Sequence, residues 1–151
     1  MKKLSLVLIV GILAFGLIAC NSANKAGSEI KDLLTSAAKG LDDATKDMNN
    51  ATDAKGVADA LQKFTAWEKS FSEKAGKLDK KFEKTDLDKM SDKKTGEVGA
   101  ASEAFANSYT NFANSLQAAV AKYGADDETV KAAITLATAA DQDLTAVFAS
   151  N

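Results

Sequence analysis

Only one side chain in this sequence is a thiol, Cys20, and none is an imidazole. Without histidine there is no Ser-His-Asp or Cys-His nucleophile and no His-ligated zinc. The Glu-x-x-His pairs that hold di-iron centres in helical bundles are missing too. The carboxylates do not replace them. Asp126-Asp127-Glu128 lacks the alternating ligands and the glycine of a calcium loop. Asp141 and Asp143, two apart, point to different sides of a helix and cannot chelate together. No glycine-rich phosphate loop precedes a helix. Acids in such positions cap helices or solvate surfaces. The chain therefore predicts no enzyme, no cofactor and no metal site.

That leaves Cys20, and its surroundings decide how it reads. A lone cysteine elsewhere would be a buried apolar residue or a candidate nucleophile. Here Lys2-Lys3 precede a predominantly apolar run from Leu4 to Ala19, which closes on Leu17-Ile18-Ala19-Cys20. The two lysines hold the start of this segment on the cytoplasmic side of a membrane. The run falls short of the roughly 20 residues that span a bilayer as a helix, which argues against an uncleaved anchor. These residues resemble the lipobox of bacterial lipoprotein precursors, and the resemblance covers the N-terminus alone. It implies removal of residues 1–19 as a signal peptide and lipidation of Cys20 by a diacylglyceryl group carrying palmitate-type chains. In many bacteria a third chain joins the amine. Two or more chains anchor a protein stably, whereas one binds reversibly. Asn21, in place of an aspartate, implies the outer membrane rather than the inner membrane if the envelope is of the enteric Gram-negative type.

Residues 28–151 are one domain's worth of chain. They contain no proline, and every basic residue is lysine. Abundant Ala, Lys, Leu and Asp suits long helices, and no useful stretch alternates in the manner of a strand. The seven residues Asn21 to Gly27 are small and polar, so residues 20–27 read as a lipidated cysteine and flexible tether with a reach of about 15 Å. Ser28 is a plausible N-cap for a first helix. Its stripe is Ile30, Leu33, Leu34, Ala37, Leu41, Ala44 and Met48, ended by Asn49-Asn50. Thr52 or Asp53 caps a second helix, whose stripe of Val57, Ala60, Leu61, Phe64, Trp67, Phe71, Ala75, Leu78 and Phe82 predicts a helix to about Lys84. From Thr85 to Gly99 the register puts Lys94 on the apolar face and two glycines follow, which predicts a turn and a weak first turn. A third helix then covers Val98, Ala101, Phe105, Tyr109, Phe112, Leu116, Ala119, Val120 and Tyr123, with Gly124 suited to C′. Asp126 or Asp127 caps a fourth, whose broad apolar face, widened by Leu136, predicts a well-covered helix.

Four stripes joined by short turns predict an all-α, antiparallel four-helix bundle with longer central helices. A second helix of about 30 residues would span about 45 Å, against about 30 Å for a first helix of about 20. The turn after it would then overhang toward the membrane. Residues 69–94 carry nine lysines against six acids, while the whole chain is at −2. Loss of Lys2 and Lys3 leaves 17 lysines against 21 acids, or −4, which argues against nucleic acid as a partner. Lys77, Lys80, Lys81 and Lys84 thus form a candidate membrane-facing basic patch, although mixed surface charge of this kind also serves plain solubility. Trp67 lies at the edge of its stripe and suits core packing or an interface with another protein. The expected role is a non-catalytic lipoprotein of the cell envelope, in the outer membrane or periplasm, held on the lipid bilayer through Cys20. Its bundle binds another envelope protein. The alternative is a structural or surface-displayed lipoprotein without a dedicated ligand.

Overall fold

The computed structural model describes residues 20–82, 89–123 and 126–149, with side chains described from residue 23 to 139 of these. The signal peptide expected over residues 1–19 and the proposed patch residue Lys84 lie outside them. Four helices follow one another: α1 Cys20–Asn49, α2 Ala54–Phe82, α3 Asp92–Tyr123 and α4 Glu128–Ala149. No strand occurs among the described residues. The all-α bundle is therefore what the chain builds.

Local chemistry fixes three of the helix starts. The Asp53 carboxylate accepts from the Gly56 N–H at 2.7 Å and caps α2. Ser91 caps α3 with its hydroxyl oxygen, which accepts from the Lys94 N–H at 3.3 Å. Asp127, not Asp126, caps α4 by accepting from the N–H groups of Thr129 at 2.9 Å and Val130 at 3.1 Å. The third helix therefore begins at Asp92, earlier than the weak turn the glycines suggested. Lys94 is tolerated on the inner side because its stem lies over Gly27 while its ammonium reaches Glu97 at 2.7 Å.

The tether expected over 20–27 is instead the first two turns of α1. Ala23 and Ala26 are wholly buried, and with Ile30, Leu34, Ala37, Leu41, Ala44 and Met48 they continue one stripe in steps of three and four. Small residues read as a linker by composition, yet here they let the start of α3 dock on α1. Ser28 is consequently not a cap: its hydroxyl donates back to the Asn24 carbonyl inside the helix. The longer-central-helix expectation changes with it, since α1 has 30 residues against 29 in α2 and 32 in α3. Only α4, with 22, is short.

Directions follow from the pairs between helices. Lys63–Asp47 near the first turn and Lys81–Glu29 at the far end make α1 and α2 antiparallel. Phe64 against Phe112 and Phe71 against Phe105 make α2 and α3 antiparallel as well. It follows that α1 and α3 are parallel, as Asn24–Ser91 and Lys31–Glu97 show. The most extensive backbone approach is between α1 and α3, followed by α2 with α4. Small residues at the contact allow it, because interaxial distance follows side-chain size. Between α2 and α3 the phenylalanine rings act as spacers. Phe64 and Phe112 stack at 4.2 Å between centroids, and the backbones stay further apart.

Candidate functional site

One end of the bundle gathers the start of α1, the end of α2 and the start of α3. The Ser91 N–H donates to the Asn24 side-chain oxygen at 3.0 Å. Lys81 bridges to Glu29 at 2.7 Å. Met90 and Lys94 pack where a Cβ on Gly27 would stand. Cys20 opens α1 at this same end, with no intervening tether. Among the described residues, Ser91, just before α3, sits beside the first turns of α1. The overhang expected of the turn after α2 falls on residues 83–88, outside the described residues.

The lysine patch is a flank rather than a tip. From Ala66 to Lys81 the exposed positions of α2 are Ala66, Lys69, Ser70, Glu73, Lys74, Lys77, Lys80 and Lys81: five ammonium groups and one carboxylate. Lys77 and Lys80 make no ion pair among the described residues. Lys81 is spoken for, by Glu29 and by the face of Phe82 at 5.0 Å. Glu97 lies between two lysines nearby. Hydrogen bonds from Lys94 and Lys31 hold its carboxyl below the ordinary value. At the other end charge turns negative, with Asp42, Asp43, Asp47, Asp53 and Asp59 around the first turn and Asp126, Asp127 and Glu128 before α4. Hydrogen bonding to Asp47 raises the Lys63 pKa, and Asp59 and Glu128 do the same for Lys55 and Lys131. The Lys55, Lys63 and Lys131 pairs are on the exposed surface and of small individual worth, whereas the Glu97 pairs are part-buried.

Trp67 is half-buried in a row of rings on α2. It lies 5.5 Å from Phe64 and 5.6 Å from Phe71, its ring nearly parallel to the latter's. Its indole lies directly over the Cα of Gly40 on α1. The same face buries Glu68, at 2% exposure, on a level between Phe64 and Phe71. Sequence reading missed it. The centre of the buried stripe runs through Phe64, Glu68, Phe71 and Ala75 rather than through Trp67.

Leu136 corrects another expectation. It is 55% exposed, the one large hydrophobic side chain so exposed among the described residues. The α4 helix packs chiefly on α2, which covers Val130, Ala133 and Ala137 and leaves only the edge that Leu136 widens open. Ala132 and Ala139 are exposed beside Leu136 in steps of four and three, and none of the nine residues from Ala132 to Ala140 carries a charge.

No family model, curated protein or solved structure matches this chain. Among the described residues, no group of three or more metal-ligating side chains converges. No helix among them is long and apolar enough to cross a membrane. What the arrangement offers chemically is a helix start at Cys20, a lysine flank beside it and an uncharged strip on α4.

Proposed function

We propose that this chain is a lipid-anchored protein of the bacterial envelope whose bundle is a non-catalytic binding module for another envelope protein. The lipobox-like run ending at Cys20 supports the anchor, and Asn21 favours the outer membrane. The observation that carries the binding role is the uncharged strip Ala132, Leu136 and Ala139 on α4. Charged residues are a quarter of this sequence, and a surface strip without any is a poor solubilising face. Its residues recur at helical spacing, so it suits a helix or groove of a protein partner that takes anchors at i, i+4 and i+7.

A photo-crosslinking side chain at Leu136, compared with one at exposed Asn107 on α3, tests this in the native envelope. A discrete heterologous adduct from position 136 alone supports the binding module. Equal labelling from both positions, or none from either, favours the structural lipoprotein without a dedicated ligand. An adduct of twice the chain's own mass would mean that the strip joins two copies instead.

A further inference from the structure

We propose that the exposed lysine flank of α2 is a docking surface for anionic phospholipid headgroups, so that the bundle lies against the bilayer rather than standing on it. The inference uses the proposed lipid on Cys20 as its pivot and in that respect rests on the reading above.

Geometry sets the argument. Lys81 is level with Glu29, nine residues into α1, so it stands about 14 Å from Cys20 along the axis. Lys69 is twelve residues earlier on α2 and stands about 18 Å further out. A bundle held upright on Cys20 would keep the whole flank beyond the Debye length of about 8 Å at physiological ionic strength. The lysines would then feel little of the headgroups. Since α1 is helical from Cys20 onward, no spacer lifts the domain away, and tilting about the anchor brings the flank onto the surface. The flank suits that surface. Lys69, Lys74, Lys77 and Lys80 are exposed on adjoining turns with Glu73 the one exposed carboxylate among them and Asp79 half-buried beside Lys80, in a chain that is otherwise acidic. The groups are ammonium ions on flexible stems, which match diffuse phosphate charge better than a single defined ligand. No apolar side chain stands between them for insertion, so the attraction is electrostatic and fails in salt.

The test uses the mature lipidated chain in vesicles. Acetylation of each lysine is read by mass spectrometry on pure phosphatidylcholine and on a mixture with 30% phosphatidylglycerol. The expected result is several-fold protection of Lys74, Lys77 and Lys80 on the anionic vesicles, lost in 0.5 M salt. Lys39, Lys46 and Lys55 should not change. A K74Q/K77Q/K80Q variant, whose fold is checked by circular dichroism, should lower the docked-to-free ratio by about fivefold per lysine removed. Equal acetylation on both vesicle types overturns the proposal. Failure of the anchor shows separately, as a chain that does not float with phosphatidylcholine vesicles. In that event a C20S chain starting at residue 20 still decides the docking question, by floating or not floating with the anionic mixture.

Discussion

Gly40 and Gly96 are the same residue in the interior of long helices, and replacing each by alanine should move stability in opposite directions. At Gly96 nothing lies within 4 Å of where the new methyl would stand. The substitution then removes only the helix penalty of glycine, and Gly96→Ala should stabilise by about 1 kcal/mol. At Gly40 the methyl would fall 2.6 Å from two carbons of the Trp67 indole. That ring is held between Phe64 and Phe71 and cannot swing aside without losing both neighbours. Overpacking of this kind costs about 1–3 kcal/mol, and each lost ring contact about 0.5–1.5 kcal/mol. Set against a helix gain of about 1 kcal/mol, Gly40→Ala should destabilise by about 1–5 kcal/mol. In a domain of this size that corresponds to a fall in Tm of roughly 3–15 °C, while Gly96→Ala raises it by about 3 °C. The assay is thermal unfolding of both variants with Trp67 fluorescence as the probe, since the chain has a single tryptophan. A red-shifted native spectrum should accompany the loss in Gly40→Ala. If Gly40→Ala raised Tm as Gly96→Ala does, with an unchanged spectrum, the close approach of α1 and α2 at the indole would be wrong.

Two further predictions concern local chemistry. Asp53→Ala and Asp127→Ala should each cost about 1 kcal/mol by chemical denaturation, because each removes a capping acceptor, whereas Asp126→Ala should stay within about 0.5 kcal/mol. The Glu97 carboxyl should titrate below its ordinary value of 4.5 by NMR, and Lys94→Gln should return it upward more than Lys31→Gln, in the order of the hydrogen bonds responsible. Because the folded-state value is the lower one, its stabilisation is complete above about pH 4.5 and is lost as pH falls through the folded value. Lys94→Gln should flatten that part of the stability profile.

Much of the bundle could be read from one dimension, where physical demands are local. The steps of three and four that place Ile30, Leu34, Leu41 and Met48 on one face also place them in the core. Asp53 was one of two candidate caps before α2, and its side chain does cap it. Elsewhere the local signal pointed the other way. Residues 20–27 look like a tether because Ala, Gly, Ser and Asn are linker residues by composition. They become helix because burying Ala23 and Ala26 as α1 docks on α3, whose contacts lie 66 and 67 residues downstream, outweighs that composition. The glycines of α3 suggested a break, but the Ser91 cap and the contact of Lys94 with Gly27 carry the helix through.

The sequence by itself determined the kind of molecule: an N-terminal segment that ends at Cys20 like a lipobox, four amphipathic helices, and no histidine for the usual chemistry. Composition and periodicity are properties of neighbouring residues, and the chain order carries them completely. Which helices touch is another matter. That α1 pairs with α3 and α2 with α4, that Glu68 sinks inward beside Trp67, and that Leu136 is left uncovered depend on distances between residues far apart in the chain. Ring sizes at the contact between α2 and α3, and small residues where α1 meets α3, set those distances. Only the folded arrangement decides which apolar face remains open and which lysines share a flank with Cys20's end of the bundle.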